Sequence, residues 1–342
     1  MARVRFGKLL IQIPCFNEEG QIEATLRELP RQVPGFDSVE VLVVDDGSTD
    51  RTAEVARRAG ADHIVRFPNN RGLAKAFMAG IDACLRLGAD VIVNTDADNQ
   101  YSGADIQKLV RPILLGQAEM VVGDRDPRNV RHFGLPKRLL QHYGSWVVRQ
   151  LSGTDIPDAT SGFRAFSRDA ALRLNVMSDF TYTLETLIQA GKKKLPVTHV
   201  PVASRPVRRS SKLFQSTWSY VKRSASTILR IYAMYEPLKV FSYIGGALVL
   251  VGSAIGARFV YYYAIGEGGG HVQSLLLTTI LVIIGFFTIL VGMMADLIGG
   301  NRALLEDVLY RLRRMELDRV AEAESRRTES RPELQRVEGG RP

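Results

Sequence analysis

From Val272 to Ala295 the chain carries no charged residue, and neither does the stretch from Val240 to Ala257. As a helix the Val272 segment would be roughly 36 Å long, enough for a hydrocarbon core of about 30 Å. The Val240 segment is shorter, but Arg258 can snorkel and Phe259 to Ile265 can carry the helix on to the far interface. A soluble core could hold such segments only under a cover, and nothing downstream is apolar enough to supply one. The loop between them, Gly266 to His271, has no Lys or Arg. Lys222, Arg223, Arg230 and Lys239 precede the pair, and Arg302, Arg311, Arg313 and Arg314 follow it. The positive-inside rule then predicts a transmembrane helical hairpin with both termini cytoplasmic. Met1 to Phe6 runs straight into an apolar strand, so no signal peptide is expected. Cys15 and Cys84 are the two cysteines and have no metal or disulfide spacing, which suits a reducing compartment.

Residues 7 to about 200 read differently. Short apolar runs at Leu9–Ile13, Val39–Val44, His63–Arg66, Val91–Asn94 and Met120–Val122 predict strands. Amphipathic stretches at Glu19–Leu29, Arg51–Ala59, Leu73–Leu87, Ala104–Leu115 and Pro136–Leu151 predict helices. This alternation predicts an α/β domain with a mostly parallel sheet covered on both faces. Ligands of such sheets bind beyond the carboxyl ends of the strands, and those ends are where the unusual residues lie.

Four strand ends stand out. After the fourth strand comes Asp96-Ala97-Asp98-Asn99-Gln100, whose two hard carboxylates suit Mg²⁺ or Mn²⁺ if they face a crevice, or form a solvated acidic turn if they do not. The first strand ends in Pro14-Cys15-Phe16-Asn17-Glu18-Glu19, either the wall of a nucleotide pocket or an ordinary helix start capped by Asn17. The second ends in Asp45-Asp46-Gly47-Ser48-Thr49-Asp50, where an Asp can accept from a ribose hydroxyl or base edge and Asp50 can cap the next helix. After the third, Asn70-Arg71-Gly72 leads to Lys75, and either cation reaches a diphosphate or is solvated.

With Asp158-Ala159-Thr160-Ser161-Gly162-Phe163-Arg164, these motifs resemble the family 2 glycosyltransferases of GT-A fold, and within them the polyprenyl-phosphate enzymes such as dolichyl-phosphate mannose synthase. The resemblance covers about residues 8 to 213, and two trailing membrane helices recur in many relatives. It implies that Pro14, Phe16, Glu18, Asp45 and Asp46, with Arg71 and Lys75, line the nucleotide sugar. It implies that Asp96 faces the sugar nucleotide and, with Asp98 and Gln100, holds the metal. Asp98, Asp158 and Arg125 become the candidate catalytic residues. Arg125, Arg138, Arg208, Arg209 and Lys212 become the candidates for the lipid phosphate. Phe16 stands where Tyr is frequent, and Tyr101-Ser102-Gly103 replaces a Pro-containing helix start.

Asp158 either orients substrate or bonds the Thr160-Ser161-Gly162 turn, and Arg164 is expected to pair structurally with a carboxylate. Arg131, Lys137 and Arg138 form either a loop over the acceptor site or a solvated face. Glu185 receives no role, and His132, His142 and His199 have no metal spacing. Four regions are expected: a GT-A domain over 1–212, a juxtamembrane amphipathic helix over 213–237, two membrane helices within 238–297, and a partly disordered cytoplasmic tail over 298–342.

The chemistry expected is direct, inverting transfer of a hexose from GDP- or UDP-sugar to a polyprenyl phosphate at the cytoplasmic leaflet. The acceptor phosphate ionises at or below about pH 6, so it needs positioning more than a base. A processive polysaccharide synthase is a weaker alternative, because Trp146 and Trp218 lack the Gln-x-x-Arg-Trp context. A non-catalytic sugar-nucleotide sensor or scaffold is another. The net charge of +9 also suits nucleic acid, but much of it sits beside the membrane segments, where anionic lipid explains it, so no nucleic-acid partner is expected. Gly245-Gly246 and Gly252 permit close helix packing and so leave a homo-oligomer open.

Overall fold

A computed structural model of the chain describes residues 6–125, 149, 152–176, 182–205, 234–266 and 268–338. Residues 1–221 and 308–342 form one compact unit, and residues 222–307 form another.

The first unit is an α/β domain. Its chain order is β1 (Phe6–Cys15), α1 (Ile22–Glu28), β2 (Phe36–Asp45), α2 (Thr52–Arg58), β3 (His63–Arg66), α3 (Leu73–Arg86), β4 (Val91–Asn94), α4 (Ile106–Leu114), β5 (Met120–Asp124), β6 (Arg164–Ser167), α5 (Arg168–Arg173), α6 (Tyr182–Lys192) and β7 (Val197–Pro201). The strands make one seven-stranded sheet in the order β3-β2-β1-β4-β6-β5-β7. Leu9, Leu10, Ile11 and Ile13 of β1 are all fully buried, although alternate residues point to opposite faces, so helices cover both sides of the sheet. Asp90 ties the entry of β1 to the entry of β4 by accepting from the Gly7 and Lys8 amides at 2.7 and 3.0 Å.

The sheet is mostly parallel, as expected, and its exception is informative. β6 runs antiparallel to both neighbours, with Asn94 and Val122 each paired to Arg164. Its residues, Arg164-Ala165-Phe166-Ser167, are too few to show a period in sequence. An antiparallel strand begins at the edge where its neighbours end. The segment from Asp158 to Phe163 therefore enters the sheet at the carboxyl ends of β4 and β5.

The second unit holds α7 (Pro237–Ala264) and the first part of α8 (Val272–Glu338). Both are long and apolar enough to cross a membrane, with mean hydropathies of 1.8 and 2.7. Only 11 % of each apolar window is buried, so neither is a core helix of this chain. They meet through glycines: a Cβ on Gly245 would lie 2.5 Å from the Gly285 carbonyl oxygen, and one on Gly292 would lie 2.7 Å from Phe241 Cβ. Gly252 packs on Leu281 and Val282. Gly245 and Gly252 thus serve the hairpin itself. Thr278, Thr279 and Thr288 donate their hydroxyls to carbonyls four residues back, which satisfies them without water.

The tail departs from expectation. Helix α8 continues to Glu338, where disorder after a short helix was expected. Its Glu and Arg residues recur at spacings that support a helix. Residues 308 onward belong to the first unit, and Tyr310 to Leu317 pack on α3 and the ends of α5. Tyr310 donates to Asp169 at 2.6 Å, Arg313 to the Leu174 carbonyl at 2.8 Å, and Glu316 pairs with Arg86 at 2.9 Å. Leu317 is buried beneath them.

Candidate functional site

The parallel register decides which residues share an edge. Cys15 sits beside Asp45, Asp45 beside Arg66, and Gln12 beside Asn94. The loops after β1, β2, β3 and β4 therefore open on one side of the sheet, around the β1/β4 point where the strand order reverses.

The first two loops are laced together. Asn17, held at φ +54°, accepts from the Thr49 amide at 2.9 Å and takes Ser48 Oγ on its own amide at 2.9 Å. Asp50, one residue before the Arg51 N-cap of α2, accepts from the Thr52 and Glu19 amides. Asn17 is thus a brace between loops rather than a cap of α1. Gly47, at φ +72°, lets the third loop approach: a Cβ there would lie 2.3 Å from the Asn69 carbonyl carbon.

Asp45 and Asp46 take different partners. Asp45 is fully buried, accepts from the Ser48 amide at 2.9 Å, and has its other oxygen 3.1 Å from Arg66 Nε. Asp46 accepts from the Arg71 and Gly72 amides at 2.7 and 2.9 Å. Each of its oxygens accepts one amide of the next loop, so Asp46 braces that loop. Pro14 is buried within the β1 ladder, while Phe16 remains 41 % exposed at the mouth and Glu18 is half-buried beside it. The Arg71 guanidinium lies over the Phe67 ring at 5.1 Å, and Lys75 is exposed on the first turn of α3.

Both acids of Asp96-Ala97-Asp98 are raised in pKa. Asp98 accepts from the Gln100 amide at 3.1 Å across Asn99, which sits at φ +56°. Asp96 accepts no hydrogen bond among the described residues, and it lies against Gly162, where a Cβ would be 2.9 Å from each carboxylate oxygen. Burial, then the Asp98 charge, push its pKa up to about 7 against the pull of Arg125 and Arg164. Burial also raises Asp98, opposed by backbone amides and Arg125. Two desolvated carboxylates short of positive charge are what a divalent cation would neutralise. Among the described residues no cluster of three His, Cys, Asp or Glu side chains assembles, so further ligands would be phosphate oxygens, water or the Gln100 side chain.

Asp158 and Arg125 form a pair. Arg125 donates from Nε and Nη2 to the two Asp158 oxygens at 2.6 and 3.0 Å and from Nη2 to Thr160 Oγ1 at 3.0 Å. Asp158 is fully buried and the Arg125 side chain is 17 % exposed. Burial alone would raise the Asp158 pKa, but the bonds and charge of Arg125 outweigh it and hold the carboxyl below its usual range. Asp158 therefore reaches across to β5 as well as to its own turn. Arg125 enters any phosphate contact already carrying a counter-charge.

Arg164 corrects an expectation. It is fully buried and donates to the carbonyls of Ala159, Ser161 and Thr183 and to the Thr186 hydroxyl. No carboxylate pairs with it among the described residues, and burial lowers its pKa to about 10. It gathers the motif turn onto α6 through backbone oxygens.

The remaining lipid-phosphate candidates, Arg138, Arg208, Arg209 and Lys212, lie outside the described residues, as do Arg131, Lys137, the Pro136 helix and most of the 213–237 segment. Just before them, Arg205 donates to both Glu28 oxygens at 2.7 and 2.8 Å and to Asn99 at 3.2 Å. This clasp was missed in sequence, as were Arg66 beside Asp45 and Tyr182 beside Asp96. Arg66 ends a run that already read as a strand, so its register was the available signal. Tyr182 and Glu28 carried none.

The glycosyl transferase family 2 profile matches residues 10–174. A UDP-N-acetylglucosamine–dolichyl-phosphate N-acetylglucosaminyltransferase of Methanococcus voltae is 30 % identical over 56 % of this chain and 82 % of its own. An undecaprenyl-phosphate mannosyltransferase of Micrococcus luteus is 30 % identical over 56 % of this chain and 84 % of its own. Among solved structures, glucosyl-3-phosphoglycerate synthase of Mycobacterium tuberculosis, crystallised with Mn²⁺, UDP-glucose and phosphoglyceric acid, superposes with a TM-score of 0.53 at 22 % identity, over 65 % of this chain and 79 % of that one, and so shares the fold. On sheet order, motif positions and relatives together, the chain belongs to glycosyl transferase family 2.

Proposed function

We propose that this glycosyltransferase moves a hexose from a GDP- or UDP-linked sugar to a polyprenyl phosphate at the cytoplasmic face of a membrane, inverting the anomeric centre. The observation that carries this reading is the desolvated acid pair Asp96 and Asp98, past the carboxyl end of β4, in a chain that also holds two span-length apolar helices. Relatives named for dolichyl phosphate and undecaprenyl phosphate support the acceptor class.

Asp96 and Asp98, with Gln100, fit Mg²⁺ or Mn²⁺: hard oxygens, raised pKa values and a carboxylate without a hydrogen-bonding partner. When bound, the ion supplies positive charge where the departing nucleotide diphosphate develops negative charge. The chain's own residues do the rest. Asp45, with Arg66 beside it, offers a buried acceptor to the base or ribose, and Phe16 offers an exposed ring at the mouth. Arg71 and Lys75 lie after β3 at the start of α3, within reach of a diphosphate by their length. Arg125, oriented by Asp158, presents a guanidinium edge to a phosphate or sugar hydroxyl. The acceptor phosphate is already anionic, so attack requires alignment and partial charge neutralisation, a task for Arg138, Arg208, Arg209 and Lys212.

The organisation proposed is a GT-A domain over 1–212, a juxtamembrane segment over 213–237, and a hairpin within 238–297 that anchors the enzyme with both termini cytoplasmic. The test offers purified full-length protein short polyprenyl phosphate, Mn²⁺ or Mg²⁺, and radiolabelled GDP-mannose, UDP-glucose, UDP-N-acetylglucosamine or UDP-galactose. Organic-phase label from one donor, absent without metal and in Asp98→Ala, is expected. Absence of nucleotide binding altogether would overturn the reading.

A further inference from the structure

Behind the acid pair lies a buried polar chain that no catalytic step above uses. Gln12 on β1 donates to Asn94 Oδ1 at 2.9 Å, and Asn94 on β4 donates to the Gly162 carbonyl at 2.8 Å and the Tyr182 hydroxyl at 2.9 Å. All three side chains are essentially fully buried. The Tyr182 ring stacks on Phe77 with centroids 4.0 Å apart and planes 7° from parallel, which fixes where the hydroxyl sits. That oxygen accepts from Asn94, so its own proton is left for a different acceptor.

Gly162 shows which groups lie beside it. A Cβ at this position would meet the Tyr182 hydroxyl at 2.8 Å and both Asp96 carboxylate oxygens at 2.9 Å. Three oxygens thus converge over one Cα that carries no side chain. The phenol and the carboxylate share this niche because residue 162 is glycine, and Asn94, two residues before Asp96, pins the phenol from the other side.

We propose that Tyr182 is a positioning residue for Asp96: its hydroxyl, clamped by Asn94 and admitted by Gly162, packs beside the first carboxylate of the acid pair and limits the orientations it can present to a divalent cation. This rests on the reading of Asp96 and Asp98 as cation ligands. Tyr182 touches neither sugar nor phosphate in this account. It acts through Asp96, so its loss weakens metal binding before it changes anything else.

The test titrates Mn²⁺ into full-length protein in detergent with UDP present, reading free Mn²⁺ by electron paramagnetic resonance. Wild type is expected to bind and Asp98→Ala to lose binding. If wild type fails to bind, or Asp98→Ala binds like wild type, the underlying cation reading falls. Given that contrast, Tyr182→Phe, which keeps the stack on Phe77, is expected to raise the Mn²⁺ Kd about three- to tenfold, the order of one polar contact. A merely structural tyrosine would shift the melting temperature and leave the Mn²⁺ Kd of the folded protein within twofold of wild type, and that result overturns the proposal. If the Phe variant does not fold, 3-fluorotyrosine placed at 182 gives the same decision. Its fluorine resonance is expected to move with Mg²⁺ along the wild-type binding curve, and an unmoved resonance at saturation overturns the proposal.

Discussion

Asp158 and Arg125 should be coupled strongly enough to measure. Asp158 is fully buried and receives two bonds from the guanidinium and one, at 2.9 Å, from Thr160. Removing one member of a buried ion pair costs about 3–5 kcal/mol, because the other stays desolvated without its counter-charge. Arg125 keeps 17 % of its side-chain exposure and can turn partly toward water, so Asp158→Leu belongs at the low end, about 3 kcal/mol. Arg125→Met strands the deeper group and should cost more, about 4 kcal/mol or above. The double variant replaces both charges with apolar groups of similar size and should be more stable than the Arg125→Met single. At about 2–4 °C per kcal/mol for a domain of this class, Asp158→Leu lowers the melting temperature by about 6–12 °C. Scanning fluorimetry of the detergent-solubilised chain at one fixed heating rate reads all four proteins. Additive losses, with a coupling below about 0.5 kcal/mol, would refute the pair and leave Arg125 a free phosphate ligand.

Three further outcomes follow from the same geometry. Asp46→Ala strips the acceptors from the Arg71 and Gly72 amides and should cost about 2–4 kcal/mol in chemical denaturation, whereas a residue devoted to nucleotide would lose UDP binding with stability intact. Because the Asp158 carboxyl is held below its usual range, its contribution is complete above an unfolded pKa of about 3.9 and fades as pH falls through the lower folded value. The melting difference between wild type and Asp158→Asn should therefore narrow in acid, and a gap that widens below pH 4 would contradict the assignment. Leu317→Ala should destabilise the α/β unit by about 2 kcal/mol through its packing beneath the docked end of α8, and an unchanged unfolding midpoint would place that helix elsewhere.

Much of this protein was legible without coordinates. The apolar runs over Val240–Ala257 and Val272–Ala295 announce their helices because length and composition alone decide whether a segment can span a hydrocarbon layer. The strands at His63–Arg66 and Val91–Asn94 emerged at the bounds expected; Val91–Asn94 is fully buried, as a strand covered on both faces of the sheet should be. The Asp96-Ala97-Asp98 acids could be singled out because they follow a buried strand and stand among other motifs at neighbouring strand ends, although a solvated acidic turn has the same local pattern.

Tertiary structure decided which partners two equally charged neighbours take. Asp45 and Asp46 are adjacent in sequence, yet one meets Arg66 through sheet register and the other meets two amides of the next loop. The partners of Asp158, Arg164 and Tyr182 lie on other elements, brought together by an antiparallel strand four residues long that no periodicity reveals. The docking of Tyr310 to Leu317 is likewise a contact between residues far apart along the chain. Local pattern determines elements because it reflects burial of one face at a time. It is silent on partners, because a hydrogen bond or ion pair depends on where a second, distant segment has been carried by the fold.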